Sequence, residues 1–197
     1  MPRDESKGSA KNGQQATSKE TTSEVATSEE SVAAILGRVP SGVYVLTARE
    51  GENETGVLVS WVMQAGFEPP MVSVAIRKGR YVIDWLTKVD GNVSELAGGD
   101  APGAPFVLNV LAEGAARMLQ HFGRGFGPDE PAFEGIGLNR SPSGAAILTD
   151  ALGHLECEAV GRTETPDHYI LLARVTGGSL AGAGKPMVHV RKDGFRY

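Results

Sequence analysis

Between residues 42 and 77 three apolar runs follow one another with little in between: GVYVLTAR (42–49), TGVLVSWVMQA (55–65) and MVSVAIR (71–77). Their Val-rich patterning reads as β-strand. Polar residues 50–54 make a turn, so the first two runs form a hairpin. Pro69 and Pro70 end the second run, and the third is a further strand. A chain that opens this way is committed to a sheet before its first long loop.

The middle run raises a question of chemistry. With period two, Val57, Val59, Trp61 and Met63 share one face, and Leu58, Ser60, Val62 and Gln64 share the other. The first face reads as core. The second is half apolar with two polar points. It is either ordinary semi-exposed sheet or a platform for something flat with a polar edge.

The rest of the chain decorates this beginning. Residues 1–26 are Ser, Thr, Lys, Glu, Gly and Gln with almost nothing apolar, so a disordered tail is expected, followed by one domain over 27–197. Thr27-Ser28-Glu29-Glu30 reads as a capping box, leading a short helix with Val32, Ile35, Leu36 and Val39 on its apolar side. Gly37 and Pro40 close that helix. Residues 79–89 read as a helix anchored by Tyr81, Trp85 and Leu86, 98–105 as a loop, 106–111 as a strand and 113–122 as a helix. Residues 123–144, rich in Gly and Pro, are expected to wrap the surface, before late strands at 155–162, 168–175 and 188–191. Many short strands with two or three helices make a mainly β (α+β) fold: a small barrel decorated by helices.

The charge balance narrows the partners. A formal net charge of -5 gives no reason to expect nucleic acid or an anionic membrane. No apolar run is long enough to span a bilayer, the N-terminus has no secretory h-region, and Cys157 is the only cysteine, so a cytoplasmic protein is expected. Cys157 alternates inward with Leu155 and Ala159 and reads as core. His154, Glu156 and Glu158 share a strand face but lack a second ligand cluster, so they read as solvent-facing rather than metal-binding. His121 ends a helix and reads as structural. GRGFG (123–127) follows a helix rather than a strand, so it is no dinucleotide fingerprint, and GAGKP (182–186) lacks the Walker spacing.

Taken in order, several segments resemble one family. GVYVLTAR followed by TGVLVSWVMQAGFEPPMVSVAIRK, then FVLNVL, FGPDEPAFEG, ILTDALGHLECEAV, PDHYILLARV and the C-terminal His189-Val190-Arg191-Lys192 are similar to the flavin reductase-like, FMN-binding split β-barrel family. Within it the likeness is greatest to the flavin reductase domain at the C-terminus of cyanobacterial-type flavodiiron proteins. The match runs over roughly 32–197 and carries neither a diiron domain nor a flavodoxin-like domain, so oxygen reduction at a diiron site is not implied. The resemblance implies an FMN-binding split β-barrel with peripheral helices, FMN as cofactor with FAD as the alternative, NAD(P)H as electron donor and a homodimer.

A flavin site asks for an apolar slot, hydrogen bonds to the pyrimidine edge and a phosphate grip. Val62 offers the apolar surface, Ser60 a hydroxyl and Gln64 an amide, and Ser60 to Gln64 spans roughly 13 Å, about the length of the ring. Backbone groups flanking Pro69-Pro70, left without ladder partners, are further candidates. Arg77, Lys78 and Arg80 sit where a strand ends and a helix begins, which suits an anion. The family's Gly-Asp-His motif on the nicotinamide side corresponds to Pro166-Asp167-His168, with Pro166 in place of the glycine, and makes His168 the candidate catalytic residue. The expected function is an NAD(P)H:flavin oxidoreductase passing hydride from nicotinamide C4 to flavin N5. The alternatives are a flavin-carrying electron-transfer subunit serving a separate oxygenase or diiron partner, or a non-redox flavin-binding module.

Overall fold

A computed structural model describes residues 29–86, 103–127 and 129–196. The tail 1–26, the proposed N-cap Thr27, the last residues of the helix expected over 79–89 and most of the loop 98–105 lie outside the described residues.

The chain runs α1 (Glu29–Gly37), β1 (Ser41–Gly42), β2 (Tyr44–Glu50), β3 (Asn53–Val59), β4 (Val62–Phe67), β5 (Pro70–Arg77) and α2 (Val82–Leu86). It continues through β6 (Ala104–Val110), α3 (Ala116–Gly123), β7 (Leu138–Arg140), β8 (Ala146–Leu148), β9 (Gly153–Glu164), β10 (His168–Leu180) and β11 (Val188–His189). Seven strands form one antiparallel sheet in the order β3-β2-β6-β9-β10-β5-β4, with β1–β11 and β7–β8 as small separate pairs.

The run expected as a single strand over 55–65 is broken at Ser60-Trp61. Its halves, β3 and β4, are consecutive in the chain yet lie at opposite edges of the sheet. The three Cα steps from Val59 to Val62 reach about 10 Å at most, so the two edges must come together. The Ala75 N–H donates to the Trp61 carbonyl at 2.9 Å, which stitches the linker to β5. The sheet therefore curls into a barrel, and Ser60-Trp61 is its seam.

The break also resets the alternation. Val57 and Val59 are buried as expected, but Met63, expected on the core face, is 71% exposed, and Val62 packs against the barrel core instead. Pro69-Pro70 turns out to be the tip of the β4–β5 hairpin, where Phe67 pairs with Pro70.

Two cores share the sheet. Inside the barrel lie Leu46, Ala48, Val57, Val74, Ile76, Phe106, Leu108, Cys157 and Leu171. Outside it, Val43, Val45, Met118, Phe122, Phe126 and Leu148 pack under α3 and the segment after it. β2 serves both, with Val45 in the outer core and Leu46 and Ala48 in the inner one, which explains why residues 45–48 are buried without alternation. Thr47 and Asn109, fully buried, clamp β8 to the sheet: both side chains donate to the Ala146 carbonyl, and Asn109 Oδ1 accepts the Leu148 N–H at 2.8 Å.

α1 departs from expectation. Its apolar side, Val32, Ile35, Leu36 and Val39, is exposed, while Ala33 and Gly37 form its buried face. The backbone of 191–194 lies against that face, with Arg191 N–H donating to Gly37 O and Gly194 N–H to Ala33 O. Among the described residues no helix is long and apolar enough to cross a membrane.

Candidate flavin-binding site

The seam positions a cleft of about 290 Å³. One wall is β-structure: Leu58 and Val59 end β3, Ser60 follows, and Ala75 and Ile76 come from β5. The opposite wall is Leu119 and Gly123 of α3, and His189 of β11 closes one side. Arg77 and Arg80 line the same cleft. Neither guanidinium has a carboxylate partner among the described residues. Two cations without carboxylate partners among the described residues, beside an apolar slot and a hydroxyl, make an anion-ready end and a ring-ready end. α2 has only five residues, so the positive potential comes from the guanidiniums rather than from a helix terminus.

A second, wider groove of about 590 Å³ meets the first at Ser60 and Ala75, which line both. Its walls are largely apolar: Leu36, Tyr44, Trp61, Val62, Met63 and Val188 contribute, with Arg191 as its cation. Arg191 and His168 both lie against Trp61. The Arg191 guanidinium lies 5.1 Å from its ring centre, and the His168 ring 4.9 Å away, tilted by 38°. His168 itself is 5% exposed and lines neither cleft. Its Nδ1 lies 3.0 Å from Asp167 Oδ1. That hydrogen bond is the chief reason the Asp167 carboxyl is held below its usual range.

The sequence-derived candidates thus separate. Ser60, Arg77 and Arg80 come together in the first cleft, and Val62 lies in the adjoining groove. Gln64 belongs to neither: it is exposed, and its Nε2 donates to Gly66 O at 3.3 Å. The proposed Ser60–Val62–Gln64 platform required one unbroken strand, and the seam divides it. Lys78 turns away from Arg77, as adjacent residues at a strand end do, and pairs with Glu164 at 3.2 Å beside the Tyr169 ring. Leu119, Gly123 and the cleft-facing role of His189 were missed by period-two reasoning on β3–β4, because α3 and β11 reach the site only through the tertiary fold.

The other candidates behave as structure. His121 packs against Phe122 and Phe126 with Nε2 2.9 Å from Ala132 O. Glu158 pairs with Arg174 at 2.8 Å and Glu156 lies 3.7 Å from His154, and no metal-holding cluster occurs among the described residues. The face read as solvent-facing is therefore half-buried and paired.

The chain also has recognisable relatives. The model of the flavin reductase like domain matches residues 36–196. "Diflavin flavoprotein A 1" of Synechocystis sp. is 41% identical over 164 residues, 82% of this chain and 26% of that protein. The chain therefore spans about a quarter of the length of the curated relatives it matches. Among solved structures, the NADH:FAD oxidoreductase SgcE6 of Streptomyces globisporus superposes with a TM-score of 0.67 at 25% identity, covering 80% of this chain and 85% of that one. A structure of SgcE6 in complex with NAD and FAD fragments gives a TM-score of 0.66 at 24% identity, covering 83% and 87%.

Proposed function

The chain belongs to the flavin reductase like domain family, and from that premise we propose that it is an FMN-binding NAD(P)H:flavin oxidoreductase. The observation that carries this reading is the seam cleft, where an apolar slot, the Ser60 hydroxyl and two guanidiniums without carboxylate partners among the described residues converge. In this reading Leu58, Val59 and Ile76 flank the isoalloxazine, Ser60 meets its polar edge, and Arg77 and Arg80 hold the phosphate. FMN is favoured over FAD because its terminal phosphate concentrates its charge on one phosphorus, whereas the pyrophosphate of FAD spreads a similar charge over two, and two guanidiniums without carboxylate partners among the described residues suit the concentrated charge.

When bound, flavin supplies a hydride acceptor at N5 for the C4 hydride of a reduced nicotinamide. The chain's own contribution is placement. The adjoining groove, with Trp61 as apolar wall and Arg191 as cation, suits a nicotinamide nucleotide next to the ring. His168 is proposed to act through Trp61, setting the indole from behind, rather than by touching substrate. The same groove is apolar and continuous with the exposed side of α1, and we assign that surface to a homodimer contact at its rim. A cytoplasmic location is part of the same proposal.

A second reading has its own support. Curated relatives about four times as long carry this region as one part of a larger protein, and in this reading the domain passes electrons to a separate acceptor protein instead of to free flavin. Anaerobic mixing of the flavin-loaded protein with NADH and with NADPH tests both. Loss of the oxidised flavin's visible absorbance with either nucleotide is the expected result. A flavin that stays oxidised with both overturns the reductase and leaves the electron-transfer subunit or the non-redox flavin-binding module.

A further inference from the structure

The GRGFG segment after α3 touches the cleft twice. Gly123 lines it, and Gly125 lies against Arg80. Gly125 has a φ of +75°, and a Cβ built on it would collide with Arg80 Nη1 and stand 3.1 Å from Cζ. The guanidinium is therefore seated where only a glycine leaves room. Behind it, a gap of about 10 Å³ lined by Thr55, Val57 and Phe126 holds roughly one water. A displaced guanidinium has no retreat into the interior and must swing along the cleft or out to solvent.

Building on the phosphate reading of Arg77 and Arg80, we propose that Gly125 is a positioning residue for the FMN phosphate. Its missing side chain seats the Arg80 guanidinium at the cleft, and selectivity for a phosphorylated flavin depends on that seat. This gives the glycine a role distinct from its backbone conformation. Any side chain at Gly125 should cost phosphate recognition more than ring recognition.

The test is titration of the apoprotein with FMN and with riboflavin, which shares the ring but lacks the phosphate, together with thermal melting. Gly125→Ala carries the Cβ. Gly125→Asn carries it too with less backbone cost, because Asn accepts positive φ more readily, and covers the case in which the alanine variant folds poorly. Gly135→Ala is the control for strain, since Gly135 has a φ of +70° and nothing within 4 Å of a built Cβ. Either Gly125 variant should raise the FMN dissociation constant about tenfold, the scale of one charge-assisted bond discounted for exposure, and move riboflavin by less than about twofold. Gly135→Ala should lower the melting temperature and leave the FMN-to-riboflavin ratio alone. In an Arg80→Met background, Gly125→Ala should add no further loss of that ratio. Equal weakening of both ligands, or a full additional loss on Arg80→Met, overturns the positioning role while the phosphate reading stands. An Arg80→Met variant that keeps the wild-type ratio overturns both.

Discussion

Ser60 occupies the two-residue linker that carries the chain from one sheet edge to the other, and it lines both grooves. A serine there was legible from the sequence as a polar point in an apolar run, and so were Arg77 and Arg80. Lys78 stands outside the cleft, paired with Glu164: three cations in four residues look like one cluster in the sequence, while strand alternation sends neighbours to opposite faces. Ser60→Ala should remove one neutral hydrogen bond to the ring and weaken FMN and riboflavin alike by about threefold to tenfold. Unchanged titrations of both ligands would take Ser60 out of the site. Cys157 makes the opposite kind of prediction. Its thiol is 2% exposed, and burial, with a smaller contribution from Glu156, pushes it up to about 12. At mildly alkaline pH a thiol reagent should label it only at the rate of unfolding. Rapid stoichiometric labelling of the native protein would show that β9 opens.

Elements with a strong local pattern were legible in kind and rough position: the β2–β3 hairpin, β5, β6, β9 and β10 all form, though β3 stops short of the expected run and β9 and β10 extend beyond theirs. The seam was not, because Ser60-Trp61-Val62 continues the apolar rhythm and nothing local marks the break. Only the topology does, since the strand partners of β3 and β4 differ. β10 runs on to Leu180 through Gly177-Gly178-Ser179, which carry no strand signal and are held by pairing with β9. The position of α3 depends on another silent residue, Gly56 in β3. A Cβ there would stand 2.6 Å from Phe122 Cε1, and that ring is fully buried. Gly56→Ala should therefore overpack the outer core and cost about 1–3 kcal/mol, read as a lower midpoint in denaturant unfolding. Because α3 carries Leu119 and Gly123 on the cleft, the same change should weaken FMN and riboflavin together, unlike a substitution at Gly125. A variant with wild-type stability would mean that α3 is free to shift.

At the scale of the whole molecule, composition suggested a domain beginning near residue 27, and a chain truncated to start there should bind FMN and melt as the full chain does; a large loss of either would make residues 1–26 part of the domain. The apolar side of α1 was legible as a pattern, but its partner was not, since among the described residues it has none: Leu36, Val39, Met63 and Val188 are 42%, 58%, 71% and 62% exposed around a single groove. Residues from α1, β4 and β11 do not converge on one apolar surface by local preference alone, and an apolar surface of this kind marks an association site. Covering it with the same surface of a second copy satisfies both molecules by two-fold symmetry. The mass in solution should be about twice the 20.7 kDa of one chain. Val188→Glu combined with Met63→Glu places charge on that surface without touching the buried core, so it should give a folded monomer. Trp61, Val62 and Arg191 line this groove, and Ser60 joins it to the flavin cleft, so the monomer should also reduce flavin more slowly with either nicotinamide nucleotide while keeping most of its FMN affinity. Light scattering and anaerobic reduction on the same preparation check both halves. A wild-type monomer at micromolar concentration would sink the dimer, and a glutamate variant that is monomeric yet fully active would separate the groove from the chemistry.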